Sequence, residues 1–408
     1  MAAVVALDLS RGGLRGVQVE APYTARPKLT RFAAVEVPEG TIFDGEIIDQ
    51  RRATVAIKQL WKAGRFTTNK VVFGVSNRKV VVREVTLPAF TGPRRKTSLR
   101  FAVEGQVPID LDDAILDFLP LRDVEDKGEP RQEGLLVATV RSSLESTVNA
   151  IERSGKLVDA IDFAGFSLLR LLPGPLRGIQ AIVNVGASCT TVIIAAAAAP
   201  QFARIVPSGG DDVTRSIERA LGVSFAEAEL DKVARGLQGG ATTTRDIEAE
   251  TVLRENIANL IDSIRNTLNF WDNAHPDHPV SSVVLTGGGS RLTGLAPVLT
   301  RALGVPTSYG DPFAGFTVAP KLRESGIENW ALELAASLGV AVGAKTSTPV
   351  DAQARAKAGG KPRVKAEGKP PTKTDGKNGK NRTETAAEGK AQARAGKAAK
   401  AGAKGGRK

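Results

Sequence analysis

Val283-Val284-Leu285-Thr286-Gly287-Gly288-Gly289-Ser290 is an apolar β-run that ends in three glycines, and Leu292-Thr293-Gly294-Leu295 then opens a helix. Glycines let a ligand approach the main chain closely, and the helix N-terminus that follows favours an anion. Taken alone, the triplet is better read as a strand-to-helix turn without a ligand.

Two hairpins upstream change its weight. Val4-Val5-Ala6-Leu7-Asp8-Leu9-Ser10 and Ala181-Ile182-Val183-Asn184-Val185-Gly186-Ala187 share a pattern of apolar strand, Asp or Asn, apolar residue and small residue. Each runs through a polar turn into a second β-run, at residues 14–19 and 192–196. This faint repeat predicts two lobes of similar build facing one cleft. The turns can present backbone N–H groups to phosphate oxygens, and Asp8 at a strand end could hold Mg²⁺ through water. Most Asp-x-Ser turns after strands are only turns.

A third small-residue turn, Ser208-Gly209-Gly210-Asp211-Asp212-Val213-Thr214, opens a helix, with Asp211 or Asp212 a natural cap. On the next helical stretch Glu229 and Lys232 are three apart and share a face, ordinarily a solvated pair. Helical spacing is also read at residues 54–64, 99–107, 143–154, 212–221, 225–234, 251–271, 295–303 and 330–342. Strands are read at 70–75, 80–87, 117–121, 134–140 and 282–286, with 123–133 a charged loop and 163–171 a buried element. The class is mixed α/β around a mostly buried sheet.

The net charge of +12 suggests a nucleic-acid or membrane-surface protein, but the chain divides. Residues 345–408 hold 18 of the 56 Lys and Arg and 5 of the 44 Asp and Glu, so the rest is nearly neutral. This tail has no Leu, Ile, Phe, Trp or Tyr, and cannot bury enough apolar surface to offset the entropy of ordering. It is expected to be disordered, either a solubilising extension or a loose contact to anionic lipid or an acidic partner. No specific nucleic acid is expected.

One cysteine, Cys189, excludes an internal disulfide and a multi-Cys metal site, and two histidines exclude a His-rich centre. This fits a reducing cytosol. The start has no basic n-region, and Asp8 interrupts its apolar run, so no signal peptide is expected. Residues 181–199 are uncharged, but Asn184, Gly186, Ser188, Thr190 and Thr191 break them into strand, turn, strand rather than a membrane span.

The order of these pieces resembles the actin and FtsA superfamily, and within it the PilM family, cytoplasmic actin-like ATPases of type IV pilus assembly. The resemblance covers residues 4–344 and includes Phe43-Asp44-Gly45-Glu46-Ile47-Ile48-Asp49, Val85-Thr86-Leu87-Pro88, Ala228-Glu229 with Lys232, and the helix at 335–344. It implies an α/β, actin-like (ribonuclease-H-like) two-lobed fold. The lobes would span 1–180 and 181–344, with an FtsA/PilM-type inserted subdomain at 88–160 and a further subdomain at 213–274.

The resemblance also implies ATP and Mg²⁺ as cofactors. Asp8, Ser10, Arg11 and Gly12 would form the first phosphate loop, with Asp8 near Mg²⁺, and Asn184, Gly186, Ala187, Ser188 and Thr190 the second. Gly209 and Gly210 would lie by the phosphates, and Glu229 and Lys232 would face ribose or adenine. Gly287, Gly288, Gly289 and Ser290 would line the adenosine, and Asp162 would orient the attacking water. The implied partner is the cytoplasmic peptide of a PilN-like inner-membrane protein, which would make the chain peripheral to that membrane.

Two departures stand out. The second loop starts with Asn184 where the family has Asp, and an amide lacks the charge that organises metal and water. The first loop reads Ser10-Arg11-Gly12-Gly13 where the family favours Gly followed by serines. Binding is therefore better supported than turnover. The alternatives are an FtsA-like or filament-forming homologue, a scaffold that barely hydrolyses nucleotide, a kinase of the same superfamily, and non-specific nucleic-acid binding through the tail.

Overall fold

The computed structural model describes residues 2–10, 12–89, 95–171 and 178–343, so the expectations for Arg11 and for the tail at 345–408 lie outside the described residues. Strand β1 (Ala3–Ser10) is buried on both faces, with Val4 and Ala6 in one core and Val5 and Leu7 in another. That is the period-two signature of a central strand covered on either side. It pairs antiparallel with β2 (Gly13–Glu20), and β2 with β3 (Lys28–Glu36). A small hairpin of β4 (Ile42–Phe43) and β5 (Glu46–Ile47) leads into α1 (Gln50–Gly64). The Asp49 side chain accepts from the N–H groups of Arg51 and Arg52 and so fixes where α1 begins. Strand β6 (Lys70–Val75) then lies parallel to β1.

The chain next leaves this sheet. β7 (Val81–Pro88), α2 (Arg95–Ala102), β8 (Ala114–Asp126) and β9 (Glu129–Val140) build a separate three-stranded sheet, in the order β7-β9-β8. Its small core holds Leu87, Leu99, Phe118 and Leu136. Residues 123–133 are not a loop but the far end of the β8–β9 hairpin. Lys127 and Gly128 both have positive φ, the geometry of a two-residue turn that suits strand twist, and the charges sit on exposed strand ends.

The chain rejoins the first sheet sooner than the sequence reading places it. α3 (Arg141–Arg153) sends Ala150 and Ile151 into the same core as Ile57 and Leu60 of α1, and β10 (Leu157–Phe163) lies parallel to β6. The separate sheet therefore spans 81–140 rather than 88–160. α4 (Ala164–Leu168) follows directly.

The second sheet repeats the first. β11 (Ile179–Val185), β12 (Thr190–Ala196) and β13 (Ala199–Val206) form an antiparallel meander. Three helices follow, α5 (Gly210–Leu221), α6 (Phe225–Arg235) and α7 (Thr244–Ala274), before β14 (Val280–Thr286) returns parallel to β11. After α8 (Leu295–Leu303), β15 (Thr307–Tyr309) adds parallel to β14. The order β13-β12-β11-β14-β15 matches β3-β2-β1-β6-β10, with the same parallel and antiparallel pairs.

The last segment recrosses. β16 (Thr317–Val318) pairs parallel with β3 on the edge of the first sheet, and α9 (Pro320–Glu324) and α10 (Ala331–Gly343) follow. One core is shared by Val4 and Ala6 of the first sheet, Ile182 and Ile193 of the second, and Leu334 and Leu338 of α10. Here α10 packs hard on α4: a Cβ at Gly339 would lie 2.1 Å from the Ser167 carbonyl oxygen, so only glycine allows the approach. Ser167 Oγ also donates to the Ala336 carbonyl at 2.8 Å. Among the described residues no helix is long and apolar enough to cross a membrane.

Candidate functional site

The β1–β2 register sets Asp8 opposite Arg15, with Ser10 opposite Gly13 at the turn. Arg15 Nη1 donates to Asp8 Oδ2 at 2.6 Å, and both side chains are four-fifths buried. The Arg15 guanidinium also lies over the Trp330 ring, 4.9 Å from its centroid. Burial lifts the Asp8 carboxyl above its ordinary range, against the pull of Arg15, and nearby Glu333 lifts it further.

In the β11–β12 hairpin Asn184 faces Thr191 and Val185 faces Thr190. Gly186 N–H donates to the Cys189 carbonyl, closing the turn. The first N–H groups of α5 dock on this turn, Gly210 to the Gly186 carbonyl at 3.0 Å and Asp211 to the Ala187 carbonyl at 2.8 Å. Gly209 must be glycine for that contact, since a Cβ there would lie 2.5 Å from the Ala187 oxygen. Asp212 in turn accepts from Gly209 N–H at 3.0 Å.

β14 then delivers the glycine triplet beside the same hairpin. Gly287 has φ of 85°, and Thr286 Oγ1 donates to Asn184 Oδ1 at 3.2 Å. Arg291, just beyond, pairs with Glu333 of α10 at 3.0 Å. From α6, Lys232 Nζ reaches Glu229 at 2.6 Å, Thr214 Oγ1 at 2.8 Å and the Gly210 carbonyl at 3.2 Å. The Glu229–Lys232 pair is thus largely enclosed on the Lys232 side rather than solvated, and it ties α6 to the start of α5.

These pieces surround one cavity of about 1030 Å³ between the two sheets. Asp8, Ser10, Gly12, Asn184, Gly186, Ala187, Ser188, Gly209, Gly210, Glu229, Lys232, Gly287, Gly288 and Gly289 all line it. Arg15, Glu39, Asp44, Ser76, Arg291 and Glu333 line it as well, and the sequence reading did not assign them.

Comparison with known proteins decides the family. The profile described as type IV pilus assembly protein PilM matches residues 6–345. The chain belongs to the PilM family.

A solved PilM-PilN type IV pilus biogenesis complex superposes with TM-score 0.73 over 84% of this chain and 98% of the matched one, at 24% identity. The fold is thus the actin-like one of PilM proteins. The cell division protein FtsA of Escherichia coli K12 is 24% identical over 202 residues, 43% of this chain and 48% of its own length. The chain therefore spans about half the length of the curated relatives it matches. EutJ of Carboxydothermus hydrogenoformans, an ethanolamine utilization protein, aligns over 84% of this chain and 90% of its own at TM-score 0.49 and 14% identity.

Three residues assigned from the PilM resemblance fall elsewhere. Asp162 is not in the cavity lining: it sits on β10 and pairs with Arg170 at 2.6 Å. Thr190 is fully buried, donating to the Ser208 carbonyl at 2.8 Å, and Ser290 is fully buried with its hydroxyl on the Thr286 carbonyl. Both hold turns rather than face the cavity. Arg15 was missed, although one signal points to it: pairing of Ser10 with Gly13 fixes the register that sets residue 15 against residue 8.

Proposed function

We propose that this PilM-family chain binds ATP in the cleft and serves type IV pilus assembly as a nucleotide-responsive scaffold. The observation that carries this is the convergence of two equivalent hairpin turns and the glycine triplet on one cavity of about 1030 Å³. The cradle suits a nucleotide. Side chains at Gly209 and Gly287 would collide with the carbonyls of Ala187 and Val185, so the walls near the turns are bare main chain. Ser10 and Gly12 would meet the phosphates from one lobe, and Gly186, Ala187 and Ser188 from the other. Glu229 and Lys232 would take the ribose side, and Gly287 to Gly289 the adenosine.

Magnesium, when bound, screens phosphate charge and fixes phosphate geometry. Asp8 is a poor ligand for it in the arrangement seen, because its Oδ2 and its charge are taken by Arg15. Hydrolysis is proposed to be weak or absent. Asn184 brings an amide, whose oxygen accepts from Thr286, and Asp162 is turned to Arg170. The partner proposed is the cytoplasmic peptide of a PilN-like inner-membrane protein, which would hold the chain at that membrane.

The test is calorimetric titration of the full chain with ATP and magnesium, beside Gly288→Asp, with phosphate release followed in parallel. Binding that the variant loses, with little phosphate released, is the expected result. Wild-type protein that ignores ATP under all conditions would remove the nucleotide reading and leave the pilus role to the family assignment alone.

A further inference from the structure

We propose that Arg15 stands in for a divalent cation at Asp8, so that nucleotide binding in this cleft is only weakly coupled to magnesium. The inference rests on the nucleotide reading above and goes beyond it to the ion requirement.

A carboxylate that serves a metal must offer it a free oxygen and an uncompensated charge. Asp8 does neither. Its partner is built in by strand register, since residues 8 and 15 face each other across β1 and β2. The 2.6 Å contact is partly buried, where charge-assisted hydrogen bonds are strong, and the guanidinium also lies over the Trp330 ring. An arginine so placed keeps its guanidinium at the cavity wall beside Ser10 and Gly12, where phosphate oxygens would arrive, with its charge shared with Asp8.

The neighbouring groups repeat the theme. Glu333 adjoins Asp8 closely enough to influence its ionisation, and its Oε1 is taken by Arg291 at 3.0 Å. Two carboxylates and two arginines thus balance in number on this part of the wall, although Glu333 Oε2 is buried without a hydrogen-bond partner among the described residues. Asn184 adds no charge, and Lys232 matches Glu229. Among the described residues no cluster of three or more metal-ligating His, Cys, Asp or Glu exists. Glu39, Asp44 and Asp211 also line the cavity, and coupling through them is the competing outcome.

The experiment measures ATP affinity of the nucleotide-free full chain with magnesium and with excess EDTA, for wild type, Arg15→Gln and Arg15→Lys. Two bound ligands that are energetically coupled typically shift each other's affinity by about 5- to 150-fold. The expected wild-type ratio is below about 3-fold, Arg15→Lys follows it, and Arg15→Gln, with Asp8 released, rises above about 10-fold. Thermal melts show whether each variant is folded, and the wild-type arm decides without them. Wild-type binding that is strong with magnesium and falls at least about 10-fold in EDTA overturns the proposal while leaving the nucleotide reading standing. Absence of ATP binding under both conditions overturns the nucleotide reading and this inference with it.

Discussion

Arg78 crosses from the first lobe to the second and donates through Nη2 to both carboxylate oxygens of Asp212, at 2.9 and 2.7 Å. Its Nε donates to the Ser188 carbonyl at 2.9 Å, so one guanidinium grips the β11–β12 turn and the start of α5 together. Nearby, Ser76 and Thr191 share a hydrogen bond at 2.9 Å, and Arg215 lies over the Phe43 ring. This flank of the cleft is laced shut by side chains from both lobes. Arg78→Ala should leave stability within about 1 kcal/mol of wild type, because the pair is a third exposed. Release of a fluorescent ATP analogue in stopped flow should accelerate by about 5-fold, equivalent to about 1 kcal/mol. An unchanged release rate would mean that this flank does not gate the cleft.

The glycines of the site divide into two kinds. Gly209→Ala forces a Cβ against the Ala187 carbonyl, and overpacking of that sort costs about 1–3 kcal/mol. A lowered Tm is expected. Gly288→Asp meets only the flexible Glu333 side chain, 3.2 Å from the new Cβ, and sets a carboxylate beside another. That variant should fold, with a Tm near wild type, and lose ATP binding by like-charge repulsion. Circular dichroism melts with calorimetry separate the two, and an unfolded Gly288→Asp would withdraw it as a probe of the site.

Cys189 lies in the second turn, with its thiol buried and pushed up to about 11, burial being the main cause. At pH 8 roughly 0.1% would be thiolate, the reactive form. Iodoacetamide should therefore label native protein far more slowly than protein in urea, as followed by mass spectrometry. Rapid native labelling would show that the turn opens readily.

Helix α7 begins at a box in which Thr243 and Asp246 cap each other. Hydrogen bonds from Thr243, then from Arg235, lower the Asp246 carboxyl from 3.8 to about 2. A carboxylate with a depressed folded pKa contributes its full stability above its unfolded value and loses it as pH falls through the folded one. Melts between pH ~6 and ~2 should show the stability gap between wild type and Asp246→Asn closing from pH ~4 downward. A gap that persists at pH ~2 would assign the effect to something other than ionisation.

Some of this was open to a reader of the sequence and some was not. Leu285 to Gly289 declare themselves because apolar run and glycine turn are local. The hairpin repeat was visible because both copies keep Val, Ile and Leu around one Asp or Asn. The meander strands β3 and β13 were not read. In β3 the pattern is broken by Lys28, Arg31 and Glu36, and β13 carries Pro200. Both leave several side chains partly exposed. Arg78 and Asp212 are 134 residues apart, and Arg291 and Glu333 are 42 apart, so no spacing rule could pair them. Thr190 and Ser290 show the opposite limit. A small hydroxyl beside a glycine turn looks the same whether it will face a ligand or hold up the turn.

β16 and α10 return to the first sheet after the second is complete, and this constrains how the chain can be made. On a ribosome the N-terminal sheet would have five of its six strands once β10 ends at Phe163, yet lack β16 and α10, which ends at Gly343. At about 5–20 residues per second that wait lasts roughly 10–40 s. Throughout it the inner face of β1, with Val4 and Ala6, lacks the cover of Leu334 and Leu338 of α10. A nascent chain of this protein presents an apolar sheet face to the cell before it presents a finished lobe, and a chaperone that binds such faces early would be the natural attendant of its synthesis.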